Sequence, residues 1–378
     1  MRIYFDNAST TPLLAEVKDE MTKVINDNFG NPSSIHLHGR QSKIIIEDAR
    51  KIIANGLHAS TGEIFFTSGA TEANNMALLC SVRDLEVKRI ISTEIEHHCI
   101  LHTLDHLEKN AEVEIIYLKV DSKGAIDLKE LESLLQSSDI KTLVSIMHGN
   151  NEIGTLSDID TISKLCTNYN VLYHTDTAQT LAKIPIDVSS TQISFLCGAS
   201  HKFFGPKGVG FVYINSENII KPLMYGGDQE RGMRSGTENI YGIAGMAKAY
   251  ELAIDQMSER KTKIFQLREY FKERLISELS DIRINGSDYA LYNILSVSFP
   301  KSPKSEMLMM NLDIMGIAAS SGSACSSGVE NDSHVLQAIG HDPTRKTIRF
   351  SFSHFNTKEE VDYVMDKLKT ITPAISLV

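Results

Sequence analysis

The sequence predicts an α/β fold with a mostly parallel, seven-stranded type of sheet covered by helices, and a smaller α+β domain beside it. Between residues 64 and 174, short apolar runs alternate with helix-length segments. Repeated strand–helix–strand units of this length form parallel sheets covered on both faces. The length of 378 residues also exceeds one average domain. We place a large domain at residues 15–254 and a smaller one at residues 1–14 and 255–378.

Composition and charge narrow the class of protein. Hydrophobic residues make up 42% and charged residues 23% of the chain, and the net charge of -10 argues against a nucleic-acid backbone as the main ligand. No apolar stretch approaches the roughly 20 residues that a membrane-spanning helix needs. The five cysteines are widely spaced and form no Cys-x-x-Cys pair. We therefore expect a cytoplasmic protein without a membrane segment or direct contact with nucleic acid.

The first hundred residues contain a candidate anion site. A helix is predicted at 15–27, and a longer one follows a turn-rich segment at 29–36. A strand at 64–66 then stops at the polar segment Thr67–Glu72, which opens into another helix. Because amide groups at a helix N-terminus hold anions, Ala70 and Thr71 are candidates for binding a phosphate. An ordinary helix cap explains the same residues equally well.

The predicted sheet brings several polar segments to one edge. Strands and helices alternate at 89–92, 98–109, 113–118, 127–136, 143–147, 157–168 and 171–174. Ligands of such sheets bind beyond the carboxyl ends of the strands. Polar segments follow the strands at 94–97, 148–154 and 174–179, and Lys202 follows a further strand at 192–197. We expect these segments to surround one site.

Lys202 and Asp176 have the character of a pyridoxal phosphate site. Lys202 lies in a glycine-rich bend between two strand-like runs, 192–197 and 209–214. Pyridoxal phosphate needs a lysine for a Schiff base, an acid that keeps the pyridine nitrogen protonated, and a phosphate site. A solvated lysine in a polar turn and a helix-capping aspartate are the structural alternatives.

The remaining third predicts the smaller domain. A glycine- and arginine-rich loop at 225–237 precedes a helix that continues past residue 270 with breaks. Further strands are predicted near 281–285, 293–299, 317–319 and 347–351, and helices near 304–312, 332–339 and from about 357. Cys325 lies between serines and glycines in the loop at 320–328, a setting that exposes a thiol, although a passive loop cysteine is the alternative.

Eight motifs, in order and nearly end to end, resemble those of the NifS/IscS-type cysteine desulfurases of the class V aminotransferase family. They are Asp6-Asn-Ala-Ser-Thr-Thr-Pro12, Gly30-Asn-Pro-Ser-Ser34, Thr67-Ser-Gly-Ala-Thr-Glu72, Asn150-Asn-Glu-Ile-Gly154, Ser200-His-Lys202, Arg231-Gly-Met-Arg-Ser-Gly-Thr237, Ser320-Ser-Gly-Ser-Ala-Cys325 and Thr347-Ile-Arg-Phe-Ser351. The resemblance implies the fold-type-I architecture of pyridoxal phosphate enzymes.

The resemblance also implies roles for single residues. Around the cofactor ring these are Lys202 as the Schiff-base lysine, Asp176 on the pyridine nitrogen, Gln179 on the ring hydroxyl, and His97 stacked on the ring and assisting proton transfer. The phosphate would be held by Ala70, Thr71, Ser200 and His201, with Thr237 entering from the other subunit of a homodimer. The substrate would be bound by Asn151 and Arg349, and its sulfur taken by Cys325.

The implied reaction converts L-cysteine to L-alanine and leaves a persulfide on Cys325. A sulfur-acceptor protein, either an iron–sulfur scaffold or a tRNA-thiolation enzyme, would then receive the sulfur. The chain ends at residue 378, sooner than relatives whose extended tails dock the scaffold, which leaves scaffold docking open. The chain also departs from the family pattern at Ala199 and Ser200, where relatives commonly carry the serine earlier. Which hydroxyl reaches the phosphate is therefore open as well, and Ser200 could substitute from one position along.

Other interpretations remain at this stage. His98, His102 and His106 recur every four residues and could bind a metal, but no fourth ligand is apparent and we expect no metal site. Arg349 could form a structural ion pair. A selenocysteine lyase would have a similar site, and an aminotransferase needs no thiol at Cys325. A non-catalytic sulfur carrier is a third alternative, which the retained lysine disfavours.

Overall fold

The computed structural model describes residues 1–136, 140–302, 307–321 and 333–372. Its strands are β1 (Ile3–Tyr4), β2 (Ile64–Thr67), β3 (Arg89–Thr93), β4 (Glu114–Leu118), β5 (Thr142–Ser145), β6 (Leu172–Thr175), β7 (Phe195–Ala199), β8 (Gly210–Ile214), β9 (Arg283–Asn285), β10 (Ile294–Phe299), β11 (Ile317–Ala318) and β12 (Lys346–Ser351). Its helices are α1 (Ala15–Asp27), α2 (Leu37–Leu57), α3 (Ala70–Asp84), α4 (His98–Asn110), α5 (Leu128–Gln136), α6 (Ile159–Asn168), α7 (Ile240–Asp255), α8 (Met257–Glu278), α9 (Leu308–Ile314), α10 (His334–Ala338) and α11 (Lys358–Ile371).

The main sheet has seven strands in the order β2-β8-β7-β6-β5-β3-β4. The five strands from β7 to β4 pair in parallel, whereas β8 pairs antiparallel with both β7 and β2. Strands β2, β5, β7 and β8 are buried throughout, as expected when helices cover both faces, whereas the edge strand β4 is mostly accessible. The predicted α/β fold class with a mostly parallel seven-stranded sheet is confirmed.

Smaller sheets lie outside the main one. Strands β12, β10 and β9 form an antiparallel sheet, and β1 pairs in parallel with β11. The pairing of β1 with β11 ties the N-terminal strand to a segment more than 300 residues away. Helix α8 packs against β10 and α11. The predicted break in the helix after the glycine- and arginine-rich loop falls at Gln256, between α7 and α8.

Two large hydrophobic clusters follow different parts of the chain. Members of the first lie between Leu14 and Ala253, and members of the second are Ile3, Phe5 and residues within 264–371. The division into domains at 15–254 and at 1–14 plus 255–378 stays a prediction, and this separation of the clusters supports it. None of the described helices is long and apolar enough to cross a membrane, and the cytoplasmic location stays a prediction.

A buried ion pair joins the glycine- and arginine-rich loop to α2. The Arg50 guanidinium donates from Nη1 and Nη2 to the two carboxylate oxygens of Glu230, at 2.7 and 2.9 Å. Glu230 also accepts the backbone N–H of Phe66, and Arg50 also donates to the Ile64 carbonyl. Both side chains are only 2% exposed. The pair therefore fixes the loop to α2 and β2 through side chains that are shielded from solvent.

We expect Arg50→Met to lower the free energy of unfolding by about 3–5 kcal/mol, because it leaves the Glu230 carboxylate buried without its partner. Arg50→Met combined with Glu230→Gln should recover part of that loss, because the uncompensated charge is gone. Urea denaturation of the single and double variants measures both effects. A double variant no more stable than Arg50→Met would show that the buried charge is not the cause.

Candidate active site

A cavity of about 480 Å³ lies at the carboxyl ends of the parallel strands. This volume is within the range of small-molecule sites. Nine of the residues predicted for the site line it: Ala70, Thr71, His97, Asn151, Asp176, Gln179, His201, Lys202 and Arg349. The alternation of strands and helices thus collects side chains from distant parts of the sequence at one edge.

Two of the described site residues, Ser200 and Thr237, do not line this cavity. Ser200 is fully buried, and its Oγ has no hydrogen-bond partner; a Cβ added to Gly205 would lie 2.0 Å from that Oγ. The hydroxyl therefore points into the protein behind the turn, and the expectation that Ser200 substitutes as a phosphate ligand is not supported. Thr237 lines a neighbouring hollow that shares Ser68 and Gly208 with the cavity. Cys325 lies outside the described residues.

Lys202 sits in a one-turn helical segment directly after β7. Its ammonium group donates to the backbone carbonyls of Ala8 and Ser9, at 2.8 and 2.9 Å. Both carbonyls belong to the polar segment after β1, which therefore forms one wall of the cavity. The side chain is held in the cavity by these contacts, so the alternative of a solvated lysine in a polar turn is wrong.

Asp176 and Gln179 lie on the turn after β6. The Asp176 carboxylate accepts hydrogen bonds from the Asn74 side chain and the Ala178 backbone N–H, each at 2.8 Å. The Gln179 amide donates to the Ala8 carbonyl at 2.9 Å, whereas its Oε1 is buried without a hydrogen-bond partner. An orphaned amide oxygen at the cavity wall is the kind of group that a bound polar ligand satisfies.

His97 caps the N-terminus of α4. Its Nδ1 accepts the backbone N–H of Cys99 at 3.1 Å, and burial is the main cause that lowers the pKa of the ring. A neutral ring whose Nδ1 accepts a hydrogen bond carries its proton on Nε2. His97 therefore offers a donor in this arrangement, and it has to release the Cys99 amide before Nδ1 can take up a proton.

The opposite end of the cavity suits a phosphate. Helix α3 begins at Ala70 and points its first amide groups toward the lining residues Gly69 and Ser68. A Cβ at Gly69 or at Gly208 would meet no atom within 4 Å, so open space lies against this backbone. Lys207 also lines this space. Helix amides and an ammonium group together make an anion site.

His201 lies at the same end in its neutral form. Burial, followed by the charges of Lys202, Lys207 and Lys183, lowers the pKa of His201 to about 4. Its Nδ1 is 3.2 Å from the Thr10 hydroxyl. The positive charge near the phosphate position therefore belongs to the lysines at neutral pH, and His201 contributes a neutral ring.

Arg349, on β12, also lines the cavity. The guanidinium donates to the Asp6 carboxylate at 2.8 Å, to the Ser9 hydroxyl at 2.6 Å and to the Asn151 carbonyl at 2.8 Å, while its Nε has no hydrogen-bond partner. The ion pair proposed as an alternative role is thus present. Because Arg349 also lines the cavity and keeps an unsatisfied donor, the same group is placed to receive a carboxylate.

These residues fit pyridoxal phosphate. The cavity contains a lysine that suits the reactive aldehyde of that cofactor, and a buried carboxylate and an amide oxygen without a partner that suit its ring. The open backbone at the N-terminus of α3 suits its phosphate. Among the described residues, no group of three or more histidine, cysteine or acidic side chains could hold a metal ion.

Sequence reasoning missed several residues of the site. Ala8 and Ser9 contact Lys202 through their carbonyl oxygens, which leave no mark on residue type. Cys99 lines the cavity, and burial raises the pKa of its thiol to about 12. Asn74 contacts Asp176 across 102 positions of sequence. The one available signal was the polar pair Asn74-Asn75 inside an otherwise apolar helix segment.

Glu96, next to His97, is a fully buried carboxyl group. Its Oε1 accepts hydrogen bonds from the Met147 backbone N–H and the Thr93 hydroxyl, and its Oε2 has no partner. Burial, and secondarily the charge of Asp176, raise the pKa of Glu96 to about 8. Glu96 is thus mostly protonated at neutral pH and adds no second negative charge behind Asp176.

We expect the free energy of unfolding of the wild type, relative to Glu96→Gln, to fall as pH rises from 5 to 8. The folded state keeps the Glu96 proton in this window and the unfolded chain releases it, so the slope approaches about 1.4 kcal/mol per pH unit for a whole proton. Denaturant titrations of both proteins at several pH values measure the difference. A difference that does not change with pH would mean that Glu96 is ionised in the native protein.

The chain has relatives along its whole length. Residues 3–364 match the family model described as Aminotransferase class-V. The chain is 42% identical over 383 residues to a cysteine desulfurase IscS of Dictyoglomus turgidum, covering 98% of this chain and 96% of that protein. A cysteine desulfurase IscS of Methanosarcina thermophila is 39% identical, with 98% and 94% covered.

Two solved structures are also similar. A NifS-like protein superposes with a TM-score of 0.91 at 37% identity, covering 98% of this chain and 99% of that one. The structure described as SspA in complex with cysteine superposes with a TM-score of 0.81 at 32% identity, covering 94% and 100%. The chain therefore belongs to the class-V aminotransferase family, as its resemblance to the NifS/IscS-type cysteine desulfurases predicted.

Proposed function

We propose that this chain is a pyridoxal-phosphate-dependent cysteine desulfurase that converts L-cysteine to L-alanine and leaves a persulfide on Cys325. The observation that carries the proposal is the single cavity in which Lys202, Asp176 and Arg349 meet. Relatives named cysteine desulfurase at about 40% identity and a structural relative in complex with cysteine support this choice of substrate.

Pyridoxal phosphate would be held by residues of the large domain. Lys202 would carry it, Asp176 would pair with its pyridine nitrogen, and the first amides of α3 with Lys207 and His201 would bind its phosphate. His97 would stack on the ring, and Gln179 would hydrogen-bond the ring hydroxyl. Pyridoxal phosphate supplies the electron sink that makes loss of the substrate α-proton feasible.

The substrate is oriented by Arg349 and Asn151. The unsatisfied Nε of Arg349 offers the amino acid carboxylate a charge-assisted hydrogen bond. Lys202 would act as the base for the proton at the substrate α-carbon. The Asp6 carboxylate keeps the Arg349 side chain extended into the cavity.

Sulfur transfer is balanced without an external oxidant. The thiolate of Cys325 attacks the substrate sulfur, the bond between that sulfur and the β-carbon breaks, and the β-carbon gains a proton. The products are L-alanine and a Cys325 persulfide. A sulfur-acceptor protein for iron–sulfur cluster assembly or tRNA thiolation then receives the outer sulfur of the persulfide. His97 is placed to handle the thiol proton, provided that it releases the Cys99 amide.

The working form is a homodimer. Thr237 lines the hollow beside the cavity and does not line the cavity of the same subunit, as expected for a residue that serves the cavity of the other subunit. Phe29, Ile35 and Leu37 lie within nine residues of one another and are 72%, 91% and 56% exposed. Exposed apolar residues concentrated in the loop before α2 and at the first residue of that helix are typical of a surface that another chain covers.

After incubation with L-cysteine, we expect the wild type to carry one added sulfur atom on Cys325. Cys325→Ser should bind the cofactor, keep its visible absorbance and gain no sulfur, because the acceptor thiol is gone. Peptide mass spectrometry with parallel assay of L-alanine measures both. Cys166→Ala is the matched control: burial raises the pKa of Cys166 to about 12, so that thiol is unreactive and its loss should leave the added sulfur in place.

Continued alanine and sulfide production by Cys325→Ser at the wild-type rate would overturn the assignment of Cys325. Release of alanine from L-selenocysteine but not from L-cysteine would replace the desulfurase with a selenocysteine lyase. Retained cofactor absorbance with no turnover of either amino acid by the wild type would instead favour a sulfur carrier.

A hybrid dimer tests whether Thr237 serves the partner's site. Lys202→Ala and Thr237→Glu each damage every site of their own homodimers. In a hybrid of one chain of each, shared sites would place both changes in one site and leave the other intact, so we expect about half of the wild-type activity per dimer. Co-expression with two different affinity tags isolates the hybrid. An inactive hybrid would mean that Thr237 acts within its own subunit.

A further inference from the structure

Behind the cavity, four polar side chains form a continuous buried series. Asn74 on α3 donates from Nδ2 to Asp176 Oδ2 at 2.8 Å, and its Oδ1 is 3.1 Å from His174 Nε2. His174 Nδ1 in turn is 2.9 Å from the Ser145 hydroxyl. Asn74, His174 and Ser145 are at most 1% exposed. A connected series with no access to water is stabilising only if each donor faces an acceptor.

That requirement fixes the position of every proton. The side chain of Asn74 must turn its NH₂ toward Asp176, because the opposite orientation would set an amide oxygen against a carboxylate oxygen. Asn74 Oδ1 then needs a donor from His174. Burial lowers the pKa of His174 to about 4, so the ring is neutral and holds a single proton. That proton must be on Nε2.

The other ring nitrogen of His174 is then an acceptor, and Ser145 donates to it. Each of the three hydrogen bonds therefore points in the same direction, from Ser145 through His174 and Asn74 to Asp176. Asp176 receives two further donors on its other oxygen, the Ala178 amide at 2.8 Å and the Cys197 thiol at 3.3 Å. All of these contacts favour a carboxylate that accepts hydrogen bonds.

We propose that Asn74 and His174 are positioning residues for the cofactor: with His174 held as the neutral Nε2–H tautomer, they keep Asp176 oriented as the hydrogen-bond acceptor of the pyridine nitrogen. The inference rests on the proposed function for the identity of the cofactor alone, and it does not depend on the substrate. Hydrogen bonds that stabilise the carboxylate leave the shared proton on the pyridine nitrogen, where it strengthens the electron sink.

The tautomer is tested in the cofactor-free protein. In ¹⁵N-histidine NMR spectra, the signal that disappears in His174→Gln identifies His174. We expect a neutral ring with its proton on Nε2 from pH 8 down to about pH 5, given the lowered pKa. A proton on Nδ1, or a doubly protonated ring above pH 6, would overturn the proposal.

Variants test the effect on the cofactor. Asn74→Asp replaces the donor with an acceptor, and His174→Leu removes the support of Asn74, whereas the amide nitrogen of His174→Gln can take the place of Nε2. We expect the first two to weaken pyridoxal phosphate binding roughly tenfold or more and to shift the pH midpoint of its absorbance, and His174→Gln to restore both largely.

His148→Leu is the matched control. His148 is also buried, with a pKa lowered to about 4, and follows β5 at the same sheet edge, but its ring has no described contact with Asp176 or Asn74. We expect this variant to lose stability in urea without a shift of the absorbance midpoint. Equal shifts in His148→Leu and His174→Leu, or none in either, would assign both histidines a purely structural role. These measurements need no turnover, so an enzyme inactive on L-cysteine would contradict the proposed function and leave this test intact.

Discussion

The contact of the N-terminal segment with two cations is the interaction on which the site depends. The backbone of Ala8 and Ser9 accepts hydrogen bonds from Lys202, and the Asp6 carboxylate pairs with Arg349. Lys202 directly follows β7 of the main sheet and Arg349 lies on β12 of the smaller antiparallel sheet, so one short segment contacts a cation from each sheet. Loss of this segment would remove two carbonyl acceptors of Lys202 and the carboxylate partner of Arg349. Arg349 is buried, and a buried cation that loses its carboxylate is costly, which makes the segment part of the site and not a simple extension.

The fold and most of the site could be predicted because both follow from periodicity. Alternating apolar and amphipathic runs imply a parallel sheet, and a parallel sheet brings the ends of its strands to one edge, so Asp176 and Lys202 were placed together correctly. Contacts made by backbone oxygens, such as those of Ala8, could not be predicted, since any residue carries the same carbonyl. The contact of Asn74 with Asp176 could not be predicted for another reason. A polar residue within a helix has many possible partners, and only the packing of α3 on the sheet selects one.

The orientation of a single side chain was the other limit. Ala199 ends β7 and Ser200 begins the helical turn after it, and a shift of one position moves a hydroxyl from the cavity to the protein interior. Ala199 lines the cavity, whereas the Ser200 hydroxyl faces Gly205. The inward orientation of the Glu230 side chain could not be predicted either, because glycine and arginine content indicates a loop but not the direction of its side chains. The left-handed backbone of Glu230 and Arg231, with φ of 46° and 57°, costs roughly 1–2 kcal/mol per residue. The buried bidentate pair with Arg50 offsets that cost and turns Glu230 inward.

The distribution of charge in the cavity opposes that of the whole chain. The protein carries a net charge of -10, which repels anions at long range, yet among the described residues that line the cavity the charged groups are Lys202, Lys207, Arg349 and Asp176. Glu96 lies close by but keeps its proton, because burial raises the pKa of Glu96 to about 8. Burial lowers the pKa of both lining histidines, His97 and His201, so the positive charge of the cavity comes from the two lysines and Arg349. With the function proposed above, an anionic phosphate and an amino acid carboxylate would each meet a cation in this cavity, and its one carboxylate, Asp176, would pair with the protonated ring nitrogen of the cofactor.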